Sequence, residues 1–497
     1  MVSADLVTIA PLVLAVLAAL AVLLVDFVAP RESPLALIAA FGGLAIVAAS
    51  IVLVGRTPAT AFGGTYTVDA LTTFLDLLFV AIVALTLLFA PDYLGPRDLP
   101  IAEFAAVLLF AMTGAMLIAA SADLLVLFLA LELMVLPGYL LAGFAKRDAL
   151  STEGAIKYFL LGSFSSAIFL FGLTFVWGIT GTTRTEGVVQ ALRSVAAGGT
   201  ISPALAFGLA LLTTGVAFKM AAVPFHYWTP DAYQGSPTPV TGYLSVGPKV
   251  GAFAIALRLF AAALTPLSQD WLPIVIVLAA ITMTLGNLVA LTQDNVKRML
   301  AYSSIAHTGY MLVGLAAYAG GRVEGLQALI YYGAAYSFMN LGAFAVVAAI
   351  QHRRGISSQL ETFAGLGRRE PFLGVLMTLF LLSLTGIPPL AGFFAKALVI
   401  LAAVQAGGWL TVLAVIAVLN AAAAAFYYLR VIVYMYMRDP ATEIPVVPHG
   451  LLVRGGLIVA TFGTVVLGAL PNWPLPVLDA AAAAAKAVAA LGGIAIR

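Results

Sequence analysis

The chain has 497 residues, of which 63% are hydrophobic and only 9% charged, with a mean hydropathy of +1.09. A water-soluble domain carries about 25% charged residues, so this composition belongs to a polytopic membrane protein. The formal charge of +2 argues against a nucleic-acid partner. The absence of cysteine excludes disulfides, thiolate-held iron–sulfur clusters and a cysteine nucleophile within the chain.

A spanning helix needs about 20 apolar residues. Taken in chain order, the apolar segments give about fourteen spans, roughly 6–28, 35–54, 69–90, 101–120, 122–144, 153–178, 204–223, 238–264, 271–292, 299–318, 325–350, 371–400, 409–437 and 451–470. The fold class is therefore all-α, with mostly short connections. The first span lacks a basic n-region and a cleavage site and reads as a retained helix rather than a signal peptide. The Ala-rich stretch Leu478–Ile496, interrupted by Lys486, reads as a surface helix or packed tail.

Several spans carry ionisable residues: Glu132 in the fifth, Lys157 in the sixth, Lys219 in the seventh, Lys249 in the eighth, His307 in the tenth and Lys396 in the twelfth. A charge at mid-membrane depth costs about 2.5–3.5 kcal/mol, and both signs are present here. That pattern points to a route for charge. Each residue also has a plainer reading. Lys157 lies near its helix end and can snorkel to the interface. Lys219 can do the same if its helix stops at Pro224. For Glu132 and Lys249 the alternative is a structural ion pair, and for His307 a satisfied buried histidine. Protons suit the route chemically: a lysine in a low-dielectric site loses much of its preference for the charged form, a nearby carboxylate restores it, and histidine titrates near neutrality. Water would have to join groups on separate helices.

Two spans are interrupted. Pro224 follows Lys219 in the seventh, and Gly386, Pro388 and Pro389 precede Lys396 in the twelfth. Proline breaks the helical ladder, which a membrane tolerates where the backbone lines protein or water. Interrupted helices at matching positions of two halves mark the transport site of an inverted repeat. Spans four to eight and nine to thirteen form two such units of five, with the break in the fourth helix of each; an odd number inverts the second unit. The expected organisation is 1–95 as three leading helices, 96–266 and 267–440 as the two repeats, and 441–497 as a last helix and tail. A path through this repeat is expected to run along the membrane plane before leaving it.

Lys and Arg are more numerous in the odd-numbered connections (Arg31, Arg97, Lys146, Arg147, Lys297, Arg298, Arg353, Arg354, Arg368, Arg369, Arg438, Arg454) than in the even-numbered ones, their helix ends and the tail (Arg56, Arg184, Arg193, Arg258, Arg322, Lys486, Arg497). By the positive-inside rule the odd loops are cytoplasmic and both termini lie outside.

Longer stretches carry a resemblance. FKMAAVPFHYWTPDAYQGSPTPVTGYLSVGPKVGAF (Phe218–Phe253), LALELMVLPGYLL, EGAIKYFLLGSFSSAIFLFG, TQDNVKRMLAYSSIAHTGYML and LTGIPPLAGFFAKALVI resemble the antiporter-like membrane subunits of proton-pumping NADH–quinone oxidoreductase, respiratory complex I. The likeness runs from about residue 69 to 437. Within that family it is to the subunit N branch: fourteen helices without a long lateral helix, lysine rather than glutamate at Lys396, and the KYFLLG and SPTPVTGYLSV wording. The resemblance implies that Glu132 and Lys219 are the coupled pair of a first half-channel, Lys249 the central bridge, His307 the onward relay and Lys396 the terminal lysine of a second half-channel. It implies coupling to a neighbouring subunit for Lys157, and gives His226 a minor loop or uptake role. It further implies no cofactor in this chain, with FMN, iron–sulfur clusters and quinone in partner subunits. The implied partners are an antiporter-like subunit M, small subunits of K and J type and the lipid bilayer, and the implied location is a bacterial inner membrane. The rival reading is a subunit of a multisubunit cation/proton antiporter or of a ferredoxin-driven complex.

Overall fold

A computed structural model describes residues 2–29, 33–440, 449–474 and 476–493; Arg31, Arg497 and the last residues of the expected tail helix lie outside them. Lipid offers no hydrogen-bond partners, so the backbone must satisfy itself, and helices do so segment by segment. Numbered as spans, the helices are α1 (Ala10–Val28), α2 (Leu35–Val54), α3 (Ala70–Phe89), α4 (Ile101–Ala120), α5 (Leu124–Ala142), α6 (Ala149–Thr180), α7a (Pro203–Met220), α7b (Trp228–Gly235), α8 (Thr238–Ala263), α9 (Ser268–Ala290), α10 (Val296–Ala319), α11 (Glu324–Ile350), α12a (Pro371–Thr385), α12b (Ala391–Ala406), α13 (Trp409–Met437) and α14 (Leu451–Ala469). Twelve are individually long and apolar enough to cross a membrane. The 24-residue α10 and the α12a–α12b pair complete the expected fourteen.

Short polar caps start several helices. Asp69 accepts from the Thr72 amide, Asp123 from Leu125 and Val126, Asp148 from Leu150, Ser202 from Leu205 and Asn295 from Arg298. Each satisfies an orphan N–H and stabilises its helix by about 0.5–2 kcal/mol. One small departure from an all-helical chain is an antiparallel hairpin, β1 (Ala59–Ala61) with β2 (Tyr66–Val68), between α2 and α3. The Ala-rich tail is a packed helix, α15 (Val477–Leu491), which lays Ala481, Ala484, Ala485, Val488 and Ala489 against α3, α11 and the end of α8.

The helices sort by exposure. α1 and α2 leave most of their apolar surface uncovered, whereas α8 is buried along its whole length and α11 nearly so. α10 is buried at almost every position. α8, α10 and α11 therefore form the centre, and their polar side chains must find partners within the protein. Two charges assigned above to loops or helix ends belong to this interior. Lys297 is buried, with Nζ 2.6 Å from the Ser236 carbonyl, and Arg258 is buried in the π-helical last turns of α8. Each side of the orientation comparison loses one residue, so the excess on the odd side persists.

Candidate functional site

The seventh span breaks rather than stopping. α7a ends at Met220, Ala221 takes a left-handed conformation (φ 60°), Val223–Pro224 is cis, and α7b follows. The twelfth span repeats this: Gly386 is left-handed (φ 97°), Pro388–Pro389 is cis, and α12b follows. In both, the cis proline sits three residues after the left-handed one. The exposed helix ends are satisfied by side chains, as orphan carbonyls require. Thr308 donates to the Met220 carbonyl at 2.8 Å and Trp228 Nε1 to Phe218 at 3.2 Å. Lys396 Nζ donates to Leu384 and Thr385, both at 2.9 Å. The lysine thus caps the negative end of α12a, where a cation is favoured. Pro248, inside α8, frees the Leu244 carbonyl, and Tyr233 OH takes it at 3.0 Å.

Four of the six ionisable groups expected within spans are sealed: Lys219 is 6% exposed, Lys249 2%, His307 1% and Lys396 5%. Lys219 does not snorkel. Its Nζ donates to Ser166 Oγ at 2.8 Å and the Gly162 carbonyl at 3.2 Å, with Tyr139 OH at 3.5 Å. Lys249 Nζ donates to Ser304 Oγ at 2.6 Å, Thr308 Oγ1 at 2.8 Å and the Ser304 carbonyl. Bonds to a charged group are worth about 1.5–3 kcal/mol each, so three offset an insertion cost of about 2.5–3.5 kcal/mol. A structural ion pair is not the arrangement at Lys249.

His307 lies between two tyrosines, with Nδ1 2.7 Å from Tyr332 OH and Nε2 3.3 Å from Tyr428 OH. A neutral imidazole donates from one nitrogen and accepts at the other, so exchange of tautomers moves a proton between the two phenols. Tyr428 OH also bonds Ser303 Oγ. From there the polar side chains continue. Tyr427 packs on Tyr428 with ring centroids 4.3 Å apart and donates to Asn287 Oδ1 at 3.0 Å. Asn287 Nδ2 reaches Asn420 Oδ1 at 3.2 Å and Tyr310 OH at 3.5 Å. The Tyr310 ring lies 4.8 Å from Lys396 Nζ, a cation–π contact. Tyr336 lies between the two halves, its ring 5.9 Å from Lys249 Nζ and 4.9 Å from the His307 ring.

Hydroxyls, amides and rings thus lie between Lys249, His307 and Lys396, and the contacts at Tyr336 and at Tyr310–Lys396 are made by rings rather than by hydrogen bonds. Glu132 stands differently. It lies partly buried on α5, its Oε1 without a hydrogen-bond partner. Lys219 spends its bonds on α6, so the two interact through space rather than as a bonded pair. Lys157 lies apart from the buried series: half-exposed, it pairs with Glu153 at 2.6 Å and Asp231 at 2.7 Å, and Asp231 also binds Arg298 at 2.7 Å. His226 is buried after the first break, stacked on Tyr227. Sequence reading missed Ser304, Thr308, Tyr332, Tyr428, Tyr427, Asn287 and Tyr310. The usable signal was their density in α10, α11 and α13, where polar groups exceed what a lipid-facing helix would carry; Asn287, alone on α9, gave none.

Residues 121–420 match the family described as "NADH:quinone oxidoreductase/Mrp antiporter, TM". A NADH-quinone oxidoreductase subunit N from Trichlorobacter lovleyi is 41% identical over 91% of this chain and 92% of its own length. The chain belongs to the NADH-quinone oxidoreductase subunit N family. A second subunit N, from Chloroflexus aggregans, is 40% identical over 94% of this chain and 95% of its own. A chain of respiratory complex I from Thermus thermophilus, solved with bound aureothin, is 35% identical with a TM-score of 0.79, over 95% of this chain and 99% of its own. A chain of the Mrp complex from a Dietzia species is 22% identical with a TM-score of 0.83, over 98% of each, and shares the fold. Among the described residues no group of three His, Asp or Glu side chains is placed to hold a metal ion.

Proposed function

We propose that this chain is the proton-translocating subunit N of a membrane-bound NADH–quinone oxidoreductase. NADH oxidation and quinone reduction take place in partner subunits that carry FMN, iron–sulfur clusters and the quinone, and this chain converts their energy into outward proton movement. The partners are an antiporter-like subunit M and small membrane subunits of K and J type, within a bacterial inner membrane and with both termini on the outer side. The carrying observation is the burial of Lys219, Lys249, His307 and Lys396 beside the two helix breaks, with Thr308 bonding Lys249 and the broken end of α7a, and tyrosines lying between His307 and Lys396.

Glu132 biases Lys219 through space. When that bias weakens, Lys219 releases its proton toward Lys249, whose Nζ–H bonds to Ser304 and Thr308 mark the direction of transfer. His307 receives a proton at one ring nitrogen and delivers from the other, and Lys396 holds the proton at the end of the second half. Lys157, paired with Asp231, serves contact with the neighbouring subunit. The matched breaks support two inverted units, 96–266 and 267–440, between leading helices (1–95) and a last helix with its tail (441–497), and a path along the membrane plane.

The test is substitution within the whole complex in inverted vesicles. Lys219→Ala, Lys249→Ala and Glu132→Ala should each assemble yet lose NADH-driven proton uptake into the vesicles. Normal assembly with normal pumping in all three would leave the residues as structural pairs. A cation/proton antiporter subunit is the second reading; co-purification with flavin and iron–sulfur subunits separates the two.

A further inference from the structure

Outside the lysine series, a buried charged cluster forms where the last turns of α8 meet the start of α3. Arg258, on the last turns of α8, donates from Nη1 to Asp69 Oδ2 at 2.8 Å, from Nη2 to Asp69 Oδ1 at 3.0 Å and Thr72 Oγ1 at 2.9 Å, and from Nε to the Ala119 carbonyl at 2.8 Å. The pair is bidentate and closed. Asp76 is not needed to complete it. Asp76 stands one helical turn beyond Thr72 on the same face of α3, is 2% exposed, and its Oδ1 has no hydrogen-bond partner. The Tyr66 phenol of β2 is pushed up first by burial and then by the Asp76 carboxylate, so the hairpin lies within electrostatic reach of Asp76. An unpartnered buried carboxyl is costly, and in a membrane it marks function before structure.

Its surroundings give it a direction. A cavity of about 10 Å³, the room of a single water, is lined by Leu75, Val250, Phe253, Leu257, Met311 and Gly333. Leu75 belongs to α3 and Val250, Phe253 and Leu257 to α8, so the cavity lies in the contact between the helix of Asp76 and the helix of Lys249 and Arg258, lined by none of these three. Lys249 and Arg258 are nine residues apart on α8, about 13 Å along the axis, and Asp76 lies one turn back toward Lys249. The lining is apolar, so the gap conducts only when wetted, as hydrophobic constrictions do. Beyond Asp76, α15 covers α3, α11 and the end of α8, tied down by Arg193 Nη2 at 3.0 Å from the Gly493 carbonyl. The Asp69 side chain, 14% exposed, is the member of the cluster that reaches the surface.

We propose that Asp76 is a proton-release group for this subunit, fed by Lys249 along the contact between α8 and α3 and emptying past Arg258, Asp69 and Tyr66 toward the side where the hairpin lies. This rests on the reading of Lys249 as a proton carrier. In the first step an Nζ–H bond of the Lys249 ammonium breaks and an O–H bond forms on Asp76, relayed by the waters that wet the gap, leaving a neutral amine and a neutral acid. In the second, Asp76 gives that proton to water beyond the cluster and returns to carboxylate, which the Arg258 guanidinium one turn away stabilises.

The experiment uses the intact complex in inverted vesicles, reading NADH oxidation and proton uptake together. Asp76→Asn keeps the shape and removes the titratable oxygen; NADH-driven pumping should fall about tenfold or more, while Asp76→Glu should keep most of it. Wild-type pumping in Asp76→Asn, with pumping lost in Lys249→Ala, overturns the release site and leaves the lysine path standing. Normal pumping in both variants overturns the lysine path and the release site with it. If Asp76→Asn does not assemble, infrared difference spectra of the wild-type and Asp76→Glu complexes decide. A carboxylic-acid band that changes on turnover and moves in Asp76→Glu supports the proposal; a band that ignores the substitution overturns it.

Discussion

Thr308 ties Lys249 to the end of α7a: it accepts from Lys249 Nζ at 2.8 Å and donates its own hydroxyl to the backbone carbonyl of Met220, the residue after Lys219. One side chain on α10 therefore touches both the central lysine and the broken end of α7a. Thr308→Val keeps the shape but removes both bonds and leaves buried partners unsatisfied, at about 1–3 kcal/mol. Pumping in the assembled complex should fall about tenfold or more, and Thr308→Ser should restore it. Vesicle proton-uptake assays on the two variants check this; equal loss in both would point to packing rather than the hydroxyl.

Tyr428 supplies the Nε2 partner of His307 and bonds Ser303. Tyr428→Phe leaves the ring in place and should cost only about 0.5–1.5 kcal/mol of stability. Its effect on coupled NADH oxidation should be much larger than its effect on thermal unfolding. A variant that pumps at the wild-type rate would remove Tyr428 from the path.

Gly386 occupies a conformation with φ of 97°, and a Cβ added there would lie 3.2 Å from Lys396 Cδ. Gly386→Ala should cost about 1–3 kcal/mol in strain and displace the terminal lysine. The expected result is a lower unfolding temperature together with reduced pumping. Unchanged values of both would show that the break relaxes freely.

The α15 helix is held by a face of small residues, with Ala484 fully buried. Ala484→Asp places an unpaired charge on that face, a change worth several kcal/mol (about 3–5 for an uncompensated buried charge). The helix should undock, and limited trypsin treatment should cut at the exposed Lys486 faster than in the parent protein. Equal cleavage rates would mean that α15 is held by other contacts.

Lys219, Lys249, His307 and Lys396 were legible because each interrupts an apolar run, where ionisable groups are rare. Both helix breaks were legible because proline and glycine act locally. Ser304, Thr308, Tyr332, Tyr428 and Asn287 were not, since hydroxyls and amides also occur singly in membrane helices, bonding back within their own helix, as Thr86 does to Ile82. Asp76 escaped notice although it lies about two turns inside the third span, and Arg258 passed for a helix-end charge.

By itself the sequence determined that the chain spans a membrane, how many times, where two helices break and which residues carry charge inside, because hydropathy and backbone chemistry are local properties. Tertiary structure alone decided the partners: that Lys219 bonds α6 rather than Glu132, that Lys249 bonds α10, that His307 sits between two tyrosines, and that Asp76 is left unpaired beside a closed Arg258–Asp69 bridge. Those outcomes depend on which faces of distant helices meet, and helix packing is a property of the whole chain.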